Sequence, residues 1–139
     1  DYFFGREIER WAEYRNIPIM TGTPTYHAHD ITLSNCLLIA ALVQGLNIDK
    51  LSLEMLHAHW VDDFDLNNPE DLTKICARAG VDPSPLLSAA LSSEVREIYD
   101  KNTEEAIRRS AFGSPTYFID GDMFYGQDHL ELIAHILKI

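Results

Sequence analysis

The dipeptide Asp120-Gly121, set between Thr116–Ile119 and Met123–Tyr125, is the strong β-hairpin signal in a chain of 139 residues whose other periodicity is helical. A two-stranded hairpin with one helix is marginal by itself and leaves strand edges unpaired. The hairpin therefore has to find partner strands, either in another chain or in a segment that precedes the sequence given.

Upstream, Ile8, Trp11, Ala12 and Arg15 recur at helical spacing and predict an amphipathic helix that stops at Asn16-Ile17-Pro18. Residues 17 to 30 carry Pro18, Gly22 and Pro24 among Thr and His, which suits an irregular connection. A buried helix is expected from Thr32 to Gly45, and another begins near Ser52 with Leu53, Leu56 and Trp60 on one side. Asp62 to Asn68 read as loop. Pro69-Glu70-Asp71 opens a helix that Gly80 ends, Asp82-Pro83 opens a short one reaching Leu91, and Ser92 or Ser93 caps a longer one. That last helix is expected to turn Val95, Ile98, Tyr99, Ala106 and Ile107 inward and to reach Phe112. A final helix is expected from about Gln127 to the end, with Leu130, Ile133, Ala134 and Leu137 facing in.

Charge narrows the partners. The formal net charge of −11 comes from 22 acids against 11 Lys and Arg spread along the chain. Nucleic acid and anionic membrane surfaces both need a basic footprint, so neither is an expected partner. The longest apolar run, Cys36 to Val43, is too short to span a bilayer, and no export signal opens the sequence. Cys36 and Cys76 lie far apart in apolar helical patterns and form no Cys-x-x-Cys pair. They read as reduced, buried thiols, which fits a cytoplasmic location. His27-x-His29 and His57-x-His59 invite a metal, but residues two apart on a helix point to different sides, so no metal is expected.

The block Phe112-Gly113-Ser114-Pro115-Thr116-Tyr117-Phe118-Ile119, followed by Asp120 through Gly126-Gln127-Asp128-His129-Leu130, resembles the C-terminal signature of 2-hydroxychromene-2-carboxylate isomerases. Glu7 to Pro18, Trp60, Asp65 and Asn68-Pro69-Glu70-Asp71-Leu72 are similar to the same family, less specifically. The family sits with kappa-class glutathione transferases and DsbA-like proteins. The resemblance implies an α/β, thioredoxin-like fold with a large all-helical insertion at residues 1–92, and only the C-terminal ββα half of the thioredoxin motif, at residues 93–139. The strand, the loop bearing Ser or Cys and the helix with which members begin would lie upstream of Asp1, and with them the catalytic group.

The same resemblance implies glutathione as cofactor. Ser114-Pro115 would be the cis-proline of the thioredoxin fold, turning backbone groups toward an extended peptide ligand. From the residues alone, an ordinary trans proline opening an edge strand is the commoner case, since about 5% of X–Pro bonds are cis. Gln127 and the N–H groups at the start of the last helix would take the γ-glutamyl carboxylate, and Asp128 would accept from its ammonium. Read without the resemblance, Asp128 only complements the helix dipole, worth about 0.3–1 kcal/mol. His129 stands where relatives often carry an arginine.

Tyr26 and Tyr125 are the aromatics expected to line a bicyclic aromatic substrate. Thr23-Pro24-Thr25-Tyr26-His27 replaces a basic, Asn-rich loop that some relatives use near the substrate carboxylate. The implied activity is a glutathione-dependent isomerisation in aromatic catabolism, with a borrowed thiol as nucleophile, in a homodimer. The alternatives are a kappa-class-like glutathione transferase, a DsbA-like thiol oxidoreductase with Cys-x-x-Cys upstream, and a non-catalytic helical binding module.

Overall fold

Several helices begin or end on local chemistry. The computed structural model describes residues 2–139, with all side chains except those at positions 2 and 4. Helix α1 (Tyr2–Arg15) stops where Asn16 takes a φ of 53°. Helix α2 (Thr32–Val43) is started by Asp30, whose Oδ1 accepts from the Thr32 N–H at 2.9 Å and its hydroxyl at 2.7 Å. Helix α3 (Asp49–Trp60) begins three residues earlier than the sequence suggests. In α4 (Pro69–Ala79), Asn68 Oδ1 accepts from the Glu70 N–H at 2.9 Å, and Pro69 fills the first position, where no N–H is needed. Gly80 closes α4 in the left-handed region at φ 80°. Asp82 caps α5 (Pro83–Ala90) by accepting from the Ser84 N–H at 3.0 Å.

The chain forms two compact units, Asp1–Tyr99 and Asp100–Ile139. In the larger one, α3 packs on α4, and α5 packs on both α2 and α4. Its core is Cys36, Leu37, Ala40 and Ala41 from α2, Leu51, Met55 and Ala58 from α3, Leu72, Ile75 and Cys76 from α4, Leu86 and Ala90 from α5, and Val95. The buried stripe of α3 is thus Leu51, Met55, Ala58 and His59. Leu53 and Leu56, the side suggested by the sequence, are 65% and 58% exposed. Both stripes are apolar, and packing against α4 selects between them.

Helix α6 (Ser93–Arg108) buries Val95, but Ile107 and Phe112 lie exposed, contrary to the inward role expected of Ile107. In the smaller unit β1 (Thr116–Ile119) pairs antiparallel with β2 (Asp122–Tyr125), Thr116 opposite Tyr125 and Ile119 opposite Asp122. Asp120 and Gly121 take φ values of 49° and 94°, both positive as a tight two-residue hairpin turn requires. The last helix does not begin at Gln127. A single 3-10 turn, Gln127–His129, precedes α7 (Leu130–Leu137). Among the described residues this unit buries one side chain, Ile133, while Leu132, Ile136 and Leu137 stay exposed. Its apolar surface is largely uncovered within the chain.

Candidate functional site

The smaller unit gathers four of the residues singled out from the sequence. The Ser114–Pro115 peptide is cis, and β1 starts immediately after it. The Gly126 N–H donates to the Pro115 carbonyl at 2.9 Å, which carries the ladder one pair beyond Thr116 and Tyr125. This bond sets the start of β1 beside the turn that precedes α7. Antiparallel pairs alternate, so with Pro115–Gly126 bonded, the backbone N–H and C=O of Thr116 point away from β2. They face the open edge of a two-stranded sheet.

Gly126 can make this approach because its φ is 98°, a value that L side chains rarely adopt. The 3-10 turn that follows has no side chain capping its start. Among the described residues no side chain caps the N–H groups of Gln127 and Asp128, which leaves them for a ligand or water. Gln127 is half-buried and its amide makes no hydrogen bond among the described residues, whereas Asp128 is exposed. Asp128 Oδ1 lies 3.5 Å from His129 Nδ1, too long for a good hydrogen bond, and that buried ring nitrogen has no hydrogen-bond partner. Ser114 is exposed, and the Thr116 hydroxyl is turned back onto the Gly113 carbonyl at 2.5 Å. An unpaired strand edge, open N–H groups at a helix start and a carboxylate beside them can together hold an extended peptide with a zwitterionic end.

Tyr125 is 41% exposed, with its ring 4.8 Å from that of Phe112 and against the bare face of Gly113, where a Cβ would meet the ring at 2.5 Å. Tyr26 belongs to the larger unit, half-buried and edge-on to His29 at 5.2 Å. Sequence reasoning missed a pairing there: His27 Nδ1 lies 3.1 Å from His59 Nε2. Spacing within each His-x-His pair could not reveal a bond between the pairs. Asp63 accepts from the Thr25 hydroxyl and N–H, each at 2.7 Å, and these bonds hold its carboxyl below the usual carboxylate range. Cys36 and Cys76 are buried free thiols, and burial, with Asp82 nearby, pushes the Cys76 thiol up. Among the described residues no three His, Cys, Asp or Glu side chains are grouped to hold a metal ion.

Over residues 3–138 the chain matches the DSBA-like thioredoxin domain. It is 25% identical over 131 residues to 2-hydroxychromene-2-carboxylate isomerase of Sphingobium xenophagum, covering 94% of this chain and 65% of that protein. The isomerase of the same name from Pseudomonas sp. (strain C18) is 27% identical over 131 residues, covering 93% of this chain and 58% of that protein. Glutathione S-transferase kappa 1 of Homo sapiens is 30% identical over 97 residues, covering 65% of this chain and 43% of that protein. A solved structure of 2-hydroxychromene-2-carboxylate isomerase aligns with 98% of this chain and 64% of that chain at a TM-score of 0.75 and 22% identity, which shows a shared fold. The chain spans less than two thirds of the length of each of these relatives.

Proposed function

Because the chain belongs to the DSBA-like thioredoxin domain family, we propose that it works in a glutathione-dependent isomerase of the 2-hydroxychromene-2-carboxylate type. The observation that carries the reading is the 2.9 Å bond from the Gly126 N–H to the Pro115 carbonyl, which puts the start of β1 and the turn before α7 side by side. Isomerase relatives align with 94% and 93% of the chain and the transferase with 65%, which favours isomerase over transferase.

The residues present fit glutathione. Its peptide backbone would run along the open edge of β1 at Ser114-Pro115-Thr116. Gln127 and the free N–H groups of Gln127 and Asp128 would take the γ-glutamyl carboxylate, and the Asp128 carboxylate would accept from the ammonium. When bound, glutathione supplies a thiol nucleophile to a conjugated substrate. The group that keeps this thiol ionised would come from the part of the relatives outside the match. Tyr26 and Tyr125 would line the aromatic substrate. A thiol–disulfide reaction at this chain's own cysteines is disfavoured, because both are buried and the Cys76 thiol is pushed up. A homodimer and a cytoplasmic location complete the proposal; no helix among the described residues is long and apolar enough to cross a membrane.

The full-length protein mixed with 2-hydroxychromene-2-carboxylate is expected to convert it when glutathione is added and not before. Equal conversion without glutathione, or none with it, contradicts the proposal.

A further inference from the structure

In the larger unit two histidines from separate segments meet. His27, in the connection between α1 and α2, sets Nδ1 3.1 Å from Nε2 of His59 on α3. Their ring planes differ by 25° with centroids 5.4 Å apart, so the rings touch edge to edge through those nitrogens and do not overlie. His59 is 8% exposed, and its Nδ1 lies 3.4 Å from the Phe64 carbonyl. A carbonyl only accepts, so a bond there requires a hydrogen on His59 Nδ1. With both rings neutral, its Nε2 then accepts from the His27 Nδ1–H. In turn, His27 Nε2 is left with a lone pair and no hydrogen.

The segment bearing His27 is pinned on both sides. The Met20 N–H donates to the Trp60 carbonyl at 2.8 Å, Asp63 holds Thr25 through two bonds of 2.7 Å, and His29 Nδ1 is 3.0 Å from Asp65 Oδ2. His27 and Trp60, with ring centroids 5.2 Å apart, line a cleft of about 350 Å³ whose apolar walls include Ile8, Ile19 and Met20. That volume lies near the lower end of the about 300–1,000 Å³ typical of ligand pockets and suits one small ring system. The charged residue on the lining is an acid, Glu9.

We propose that this cleft binds a small neutral aromatic carrying a hydroxyl group, the O–H donating to His27 Nε2 and the ring lying against Trp60. A carboxylate in the same place would stand near Glu9 and bring no hydrogen to His27. The site involves residues of the larger unit alone and does not depend on the glutathione reading, so it can fail or stand separately.

Equilibrium titration of the full-length protein with 2-naphthol, 2-methoxynaphthalene and 2-naphthoate, without glutathione, tests it. The expected order is 2-naphthol tightest, the ether about tenfold weaker for want of the donated hydrogen, and the carboxylate weakest. His27→Phe keeps a ring beside Trp60 and removes the acceptor, so it should lower 2-naphthol to the level of the ether and leave the ether unchanged. Gly5 also lines the cleft, and a side chain there enters open space, so Gly5→Leu should weaken all three ligands without lowering the melting temperature. Imidazole 15N spectra of the unaltered protein above neutral pH should show His27 protonated on Nδ1, which needs no variant to fold. Equal binding of naphthol and ether, discrimination that survives His27→Phe, no binding of 2-naphthol at millimolar concentration, or a hydrogen on His27 Nε2 overturns the proposal.

Discussion

On α3, Met55 and its neighbour Leu56 differ sharply in what they touch: Met55 is 4% exposed and Leu56 58%. Met55→Ala empties a site in the core shared with α4, where transfer and cavity terms together cost about 3 kcal/mol. Leu56 already leaves more than half of its surface in water. Full burial of a leucine is worth about 2 kcal/mol, so Leu56→Ala should cost under about 1 kcal/mol. The two variants should therefore differ by about 2 kcal/mol. With a urea slope of about 1–2 kcal/mol per molar for a unit of this size, that is a separation of roughly 1 M in midpoint. Urea titrations followed by far-ultraviolet circular dichroism, run side by side with the unaltered protein, read it directly. A Leu56→Ala midpoint shifted as far as that of Met55→Ala would mean that the Leu53–Leu56–Trp60 side is the buried one.

Three further outcomes are expected. Asn68→Ala should lower stability by about 1 kcal/mol through loss of the α4 cap, and Asn68→Gly by only a few tenths, measured by calorimetric melting. Hydrogen bonds from Arg108 and then Arg109 hold the Glu105 carboxyl at about 2. Because the folded value lies below the ordinary one, its contribution is present at neutral pH and fades as pH falls from the usual carboxylate range through about 2. Carbon-13 titration should place the Glu105 midpoint there and return it toward the ordinary range in Arg108→Gln/Arg109→Gln; an unmoved midpoint contradicts the pairing. Thr25→Val removes the hydroxyl hydrogen from Asp63, so the Asp63 carboxyl should titrate higher and the amides of His27 and His29 should exchange faster with solvent, whereas unchanged exchange would show that the clamp holds nothing.

Features encoded within a few residues were legible in the sequence. The Asp120-Gly121 turn, the Asn68-Pro69 start and Gly80 end of α4, and the Asp82 start of α5 all follow from backbone requirements of single residues. Ser114-Pro115 and Gly126-Gln127-Asp128 were legible as motifs, and their meeting through Pro115 and Gly126 is a ladder bond between residues eleven apart that the hairpin register produces. The choice of face on α3 was not legible, because the two sides are similarly apolar and the decision rests with α4. The start of α7 was displaced for another reason: the His129 N–H bonds the Gly126 carbonyl at 3.3 Å, three residues back, so the first turn is 3-10 and the α-helix begins at Leu130. The His27–His59 bond spans 32 positions, beyond the reach of any periodicity.

Calorimetric titration of glutathione into the full-length protein, beside Asp128→Ala, bears most directly on the grip proposed where β1 begins and the turn before α7 opens. The unaltered protein should bind the tripeptide, and Asp128→Ala should bind it at least about tenfold more weakly, since a hydrogen bond to a charged group is worth about 1.5–3 kcal/mol. No heat of binding in the unaltered protein, or equal affinity in the variant, contradicts it.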